Sequence, residues 1–182
     1  MDLNVGMSVF YYLVDNWIMW IPGQSYWVPE NIRQVNSSGF EVFSDLNYFI
    51  GLSKFKLGGY YSFTQSTIRN SEMENDPGLE NQLPYTPVHL AAINLDWSLK
   101  DWHAGILTDF TGLRYVTTDN MSELPSYYLI NIRTGKNFNW DSHLFSLDFR
   151  IDNLLNTSYQ NVLYRAMPGR TYTMGIHYFI NQ

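Results

Sequence analysis

Residues 170–182 read RTYTMGIHYFINQ, and the alternation within them decides the fold. Every second position is apolar or aromatic: Tyr172, Met174, Ile176, Tyr178 and Ile180. Between them lie Thr171, Thr173, Gly175, His177 and Phe179, a face mostly small or polar. Period two marks a strand whose sides meet different surroundings.

The same alternation recurs upstream. Leu3, Val5, Met7, Val9 and Tyr11 share one face, as do Phe55, Leu57, Gly59, Tyr61 and Phe63. So do Ala91, Ile93, Leu95 and Trp97, and Phe145, Leu147, Phe149 and Ile151. Helical spacing is weak and β-branched and aromatic residues abound. About nine strands are expected, near 3–13, 17–24, 33–45, 51–65, 86–98, 102–116, 126–137, 143–155 and 170–180. Short connections near 14–16, 46–50, 99–101 and 138–142 take turns with long polar ones near 25–32, 66–85, 117–125 and 156–169. This is the layout of an antiparallel up-and-down meander, an all-β fold.

Composition sharpens the reading. The 182 residues include 14 Tyr, 11 Phe and 6 Trp, but only 15% are charged, which is sparse for the surface of a small soluble domain. A net charge of −6 speaks against a nucleic-acid partner. There is no cysteine, hence no disulfide and no thiolate metal site. No apolar run is long enough for a spanning helix, and MDLNVGMSVF has no signal-peptide pattern. Taken alone these features suggest a cytoplasmic protein, and the strands contradict them. Strands of this length suit a tilted bilayer crossing. Trp17, Trp97, Trp102 and Trp140, with Tyr48, Phe49 and Phe138, fall beside the expected short turns like an interfacial aromatic girdle. A soluble sandwich with tryptophans capping its core is the competing reading. An odd strand number and open edges point to part of a larger barrel, because single-chain bacterial barrels use even numbers and hydrocarbon tolerates no bare edge.

The chain resembles TonB-dependent outer-membrane receptors of the vitamin B12 and siderophore type. The resemblance rests on Asp152-Asn153-Leu154-Leu155-Asn156 with Tyr159, on Pro168-Gly169-Arg170 before the last strand, and on Ser38-Gly39-Phe40-Glu41 and Leu83-Pro84-Tyr85-Thr86-Pro87. It implies that residues 1–182 are the C-terminal part of a 22-stranded barrel in the bacterial outer membrane, with the first strand descending. In that family the last strand is the signal for the barrel-assembly machinery, here Tyr172, Met174, Ile176, Tyr178 and Ile180. The family usually ends on an aromatic, whereas Ile180 holds that place with Asn181-Gln182 beyond it. The plug and the segment that contacts TonB have no counterpart here. The implied partners are therefore outer-membrane lipid, the remainder of the receptor and the assembly machinery, with TonB reached only through the plug. Uptake of a scarce nutrient of the siderophore, cobalamin or oligosaccharide class is the implied function, and the chain is not transport-competent alone. Two alternatives stay open: a small self-contained outer-membrane barrel acting as adhesin or pore, and a soluble carbohydrate-binding sandwich.

Candidate ligand contacts are the aromatics expected in loops: Trp20, Tyr26, Trp27, Tyr115, Tyr127, Tyr159 and Tyr164. Exposed rings stack on sugars, catechols or corrin faces, and rim aromatics also serve as a second girdle. Arg133, Asp148, Arg150 and Asp152 are expected to face inward on adjacent strands, where pairing as a ladder or contact with a plug is favoured over steering a ligand. His89, His103, His143 and His177 lie on different strands without ligand-pair spacing, and the acidic stretch Glu72, Glu74, Asp76 and Glu80 lacks a calcium-loop pattern, so no metal and no cofactor is expected. No nucleophile elbow, phosphate loop or zinc helix is present, and the chain does not read as an enzyme.

Overall fold

The computed structural model describes residues 1–22, 25–70 and 75–180. Among these, eight antiparallel strands form one sheet in chain order: β1 (Asp2–Pro22), β2 (Trp27–Ile50), β3 (Ser53–Asn70), β4 (His89–Leu99), β5 (Trp102–Thr111), β8 (Tyr127–Trp140), β9 (His143–Asp152) and β10 (Thr171–Ile180). A two-stranded ribbon, β6 (Arg114–Tyr115) with β7 (Glu123–Leu124), sits between β5 and β8. Every strand pairs with its sequence neighbour in the sheet, so the meander is as read. Glu72 and Glu74 of the acidic stretch, and Asn181-Gln182, lie outside the described residues.

The expected strands 3–13 and 17–24 are one continuous strand. Asp15-Asn16 has turn chemistry, and Asn16 does take a left-handed φ of 57°. Pairing nevertheless runs through it without slipping, from Asp15↔Gln34 to Trp17↔Ile32, and Asp15 accepts a 2.8 Å hydrogen bond from Gln34 Nε2. The chain is bent there but not reversed. Three corrections follow. There is no short turn at 14–16, Trp17 does not belong to the short-turn girdle, and β1 leads away from the short-turn end. The remaining short turns are Gly51-Leu52, Lys100-Asp101 and Asp141-Ser142, with φ of 58°, 51° and 50° at the first loop residue. A positive φ at that position is what a two-residue hairpin needs to match strand twist.

The register lines up the faces. One row crosses all eight strands as Leu3, Leu46, Leu57, Leu95, Ile106, Ile132, Ile151 and Tyr172. The row one residue away reads Asp2, Asn47, Lys56, Asp96, Gly105, Arg133, Arg150 and Thr173. Side chains alternate across a pleat, so the first row belongs to one face and the second to the other.

The apolar face is bare. Val9, Ile93 and Ile176 are all more than half exposed, and no second sheet covers them among the described residues. The reading as a sandwich with its tryptophans packed inside is thereby overturned; Trp102 and Trp140 are exposed too. The buried apolar cluster is small, Val35, Ile68 and Leu83 with Met19 against them, and it lies where the segment after β3 folds back. There Leu83 N donates to Ser66 O at 2.8 Å and Glu80 N to Ile68 O at 2.7 Å. Residues 79–88 thus occupy the sheet edge that β4 is too short to reach.

Two aromatic belts bound the apolar face. At the short-turn end stand Tyr48, Phe55, Trp97, Trp102, Phe138 and Trp140, with Lys136 Nζ 4.7 Å from the Trp102 ring and 5.0 Å from Phe138. At the other end the same face carries Tyr11, Phe40, Tyr61, Phe63, Phe110 and Tyr128, with Tyr61 Oη 2.8 Å from His89 Nδ1. From Phe55 to Phe63, at about 3.4 Å per residue and a tilt of about 40°, the height between belts is about 20 Å, close to the band of a spanning barrel. Beyond the second belt β1 and β2 continue as a long hairpin, and the same face turns polar with Asn36, Ser38, Gln65 and Thr67.

Candidate functional site

On the polar face the charges pair over glycines. Asp96 on β4 and Arg133 on β8 meet at 2.6 Å across the intervening β5, where Gly105 stands directly between them in register. A Cβ at Gly105 would collide with the Asp96 carboxylate and lie 2.9 Å from Arg133 Nε. The same device recurs one strand on. His103 Nε2 and Asp148 Oδ1 are 2.8 Å apart over Gly135 of β8. Ser146 Oγ also donates to Asp148 at 2.8 Å, and Arg150 bonds Asp152 at 2.6 Å. Of the four charges expected to pair with one another only Arg150 and Asp152 do so; Arg133 and Asp148 pair instead with Asp96 and His103, which strand spacing alone did not supply. A cleft of about 270 Å³ opens on this face between Asn94, Asp96, Leu107, Asn131, Arg133 and Arg150.

The long connections pack on one another at the opposite end from the short turns. Tyr85 N donates to Tyr115 O at 2.7 Å, and Asn81 Nδ2 to Thr118 O at 3.2 Å, joining the post-β3 segment to the β6–β7 ribbon. Arg114 is only 4% exposed; its Nη2 donates to Pro125 O at 2.8 Å and its guanidinium lies 4.8 Å from the Tyr127 ring. Tyr127 in turn packs at 4.6 Å on Tyr159 and donates to Asn161 Oδ1 at 2.6 Å. Burial pushes the Tyr85 and Tyr159 phenols up, so both stay neutral at any physiological pH.

At the ribbon tip, Asp119 accepts from the Thr117 hydroxyl at 2.5 Å and from the Met121 amide at 3.1 Å, and these bonds hold its carboxyl below the usual range. A depressed carboxyl contributes order above its unfolded pKa of about 3.9 and loses it as pH falls through the lower folded value. The Met121 amide should therefore lose protection from hydrogen exchange below about pH 4, and Asp119→Asn should make that protection independent of pH.

Asn153 ties off the last loop. Its side chain is buried and its φ is 51°. Oδ1 accepts from Thr157 N at 2.8 Å, while Nδ2 donates to Thr157 O at 2.9 Å and to Pro168 O at 3.4 Å. Asn156 Oδ1 accepts from Arg170 N at 2.9 Å. The Asn-Leu-Leu-Asn stretch and Pro168-Gly169-Arg170 thus clasp each other across the loop base. Asn153→Ala leaves buried amide and carbonyl partners unpaired in a left-handed residue and should cost about 2–3 kcal/mol. Asn153→Gly keeps the backbone and should cost less; thermal unfolding of the two variants measures the difference.

The sequence model of the TonB-dependent receptor-like β-barrel family matches residues 2–154, most of the chain. The chain belongs to the TonB-dependent receptor β-barrel family. It is 26% identical over 171 residues to the vitamin B12 transporter BtuB of Vibrio vulnificus (strain CMCP6), covering 91% of this chain and 25% of that protein. Its fold is similar to the siderophore receptor PiuA of Acinetobacter baumannii, with a TM-score of 0.74 and 19% identity over 97% of this chain and 26% of that one. It is also similar to the ferric citrate transporter FecA in its unliganded form, with a TM-score of 0.76 and 18% identity over 97% of this chain and 29% of that one. The chain spans about a quarter of the length of these relatives. Family members are receptors and transporters, not enzymes, and the family's place is the bacterial outer membrane.

Within this TonB-dependent receptor barrel the predicted aromatics divide. Tyr127 and Tyr159 meet, Trp27 packs tilted against Tyr85 at 5.8 Å, and Tyr115 touches Tyr85 through its backbone. Trp20 lies on strand β1 rather than in a loop, and it and Tyr26 are exposed towards the far end of the long hairpin. Tyr164 is 89% exposed, with a φ of 63°. These last three are not brought to the Tyr127–Tyr159 pair. Arg114 and Tyr85 are members that sequence reading missed; the strand expected from 86 begins only at His89. Tyr172, Met174, Ile176, Tyr178 and Ile180 all lie on the apolar face of β10, each exposed. Among the described residues no group of three or more His, Cys, Asp or Glu side chains is gathered so as to hold a metal ion.

Proposed function

We propose that residues 1–182 form the C-terminal wall of a TonB-dependent outer-membrane receptor that imports a scarce, bulky nutrient of the siderophore, cobalamin or oligosaccharide class. The observation that carries this reading is the pair of rows through all eight strands, one wholly apolar or aromatic and its neighbour polar or charged apart from glycine. A wall between hydrocarbon and a wet lumen requires that arrangement. Its eight strands are the last eight of a 22-stranded barrel. β1 and β10 each have one free edge among the described residues, so the remaining strands close the ring and a plug fills it. The receptor's remainder, outer-membrane lipid and the barrel-assembly machinery are its partners; TonB acts through the plug, and this wall transports nothing alone. Tyr172, Met174, Ile176, Tyr178 and Ile180 form the strand that the assembly machinery reads.

The packed long connections form part of the outer vestibule. Tyr127 and Tyr159, backed by the Arg114 cation, are the ring pair best placed to stack on ligand, with Trp20, Tyr26, Trp27, Tyr115 and Tyr164 around the rim. Tyr127→Ala and Tyr159→Ala in the receptor should each weaken binding of a labelled siderophore or cobalamin about tenfold, at about 1–3 kcal/mol per stacked ring. Unchanged binding of every such ligand in both variants would remove the assignment.

A further inference from the structure

We propose that a polar groove on the outer surface of the wall, just above the second aromatic belt, holds the sugar headgroup of an outer-leaflet glycolipid. The groove is a cavity of about 240 Å³ lined by Asn36 and Ser38 of β2, Gln65, Thr67 and Arg69 of β3, and Glu80. Its lining continues the apolar face and not the lumen face. Phe40 pairs with Phe63, then Ser38 with Gln65 and Asn36 with Thr67, so alternation keeps these residues on the side that carries the belt. From β1, Tyr11 pairs with Ser38 and Leu13 with Asn36, and both are more than half exposed. The proposal rests on the reading of the apolar face as the one that meets hydrocarbon, and it is independent of which nutrient is carried.

Height selects the occupant. Gln65, Thr67 and Arg69 follow Phe63 at every second position along β3. At about 3.4 Å per residue and a tilt of about 40°, they stand roughly 5–16 Å above that belt residue. Hydrocarbon ends near the aromatic belt, and the polar layer of a leaflet adds about 5–8 Å. The groove therefore spans the headgroups and the first sugars of a glycolipid, whose acyl chains run down the bare face past Phe40 and Phe63.

The lining selects the chemistry. Two amides and two hydroxyls offer donors and acceptors together, as the hydroxyls of a sugar require. Arg69 Nη1 and Glu80 Oε1 are 3.4 Å apart and cancel in charge, which favours a polyhydroxylated group over a bare phosphate. Glu80 is fixed at the lip by a left-handed φ of 65° and by its amide, which donates to Ile68 O at 2.7 Å. Asn36 Oδ1 is buried with no hydrogen-bond partner among the described residues, an unsatisfied acceptor that a sugar hydroxyl relieves once the amide turns outward. Tyr11, beside Ser38, presents an amphipathic ring to the apolar side of a pyranose.

The test uses the full-length receptor in detergent micelles, stripped of lipid and titrated with lipopolysaccharide or with phosphatidylethanolamine, which has no sugar. Saturable binding of lipopolysaccharide is expected, about tenfold or more tighter than phosphatidylethanolamine, and Gln65→Ala and Arg69→Ala should each weaken it about three- to tenfold. Both side chains are exposed, so both variants should keep the heat-modifiable folded form. Lys136→Ala, on the same face at the opposite belt, should bind as the unmodified protein does. A nitroxide attached through Ile93→Cys reads the face by itself: relaxation by oxygen in a bilayer marks hydrocarbon, and its absence would overturn face and groove together. With that relaxation present, equal affinity for the two lipids, or unaltered affinity in either groove variant, would overturn the groove alone.

Discussion

Ile176→Arg is expected to abolish the heat-modifiable folded form on an unheated gel, while Thr173→Arg retains most of it. Ile176 lies opposite Leu147 on the apolar face, 68% exposed, between the two aromatic belts. A guanidinium there must sit in hydrocarbon or drag water to it, at about 2–4 kcal/mol. Thr173 is three residues earlier on the polar face, opposite Arg150. A second arginine there meets a like charge in a wet setting and should cost no more than about 1 kcal/mol. Equal loss in the two variants would mean that the faces are assigned the wrong way round or that neither meets lipid.

The second large effect is expected at Gly39. It lies on the polar face opposite Thr64, and a Cβ there would run into the Phe63 carbonyl oxygen and come within 2.8 Å of Phe10 Cζ. A carbonyl locked in a ladder does not swing aside as a side-chain tip does. Gly39→Ala should therefore force β2 from β3 and cost about 1–3 kcal/mol, with Gly39→Val at or above the upper end. Gly59→Ala is the control. It lies on the apolar face with Ser44 Oγ at 3.1 Å as its sole near neighbour, and should be close to neutral. Urea midpoints of the detergent-folded protein compare them, and indistinguishable midpoints for Gly39→Ala and Gly59→Ala would refute the crowding argument.

The faces were legible because an apolar side set against a polar one leaves a period of two that needs no partner to be seen. Every apolar set read along β1, β3, β4, β9 and β10 is a real face. The β1 boundary was not legible: Asp15-Asn16 has the chemistry of a turn, and its tertiary setting, the continued ladder to β2, decided otherwise. Strand ends were also misplaced at Ile50 and at His89, where the sheet continues or stops for reasons set by its neighbours. Of the candidate site, the inward charges were readable from alternation alone. Their partners were not, since Asp96 meets Arg133 and His103 meets Asp148 across a whole strand. Only the register brings such residues together. Arg114 was invisible for a different reason: a single arginine at the end of an expected strand has no periodicity to betray its burial.

The glycine clearances also bear on how the wall would tear. The Asp96–Arg133 link crosses the seams on both sides of β5, and the His103–Asp148 link crosses those on both sides of β8. The β5–β8 seam is therefore spanned twice, like a joint covered by overlapping courses of brick. A force peeling the sheet from either end meets no such reinforcement until it reaches the middle, so mechanical rupture should begin in the outer strands and stall there.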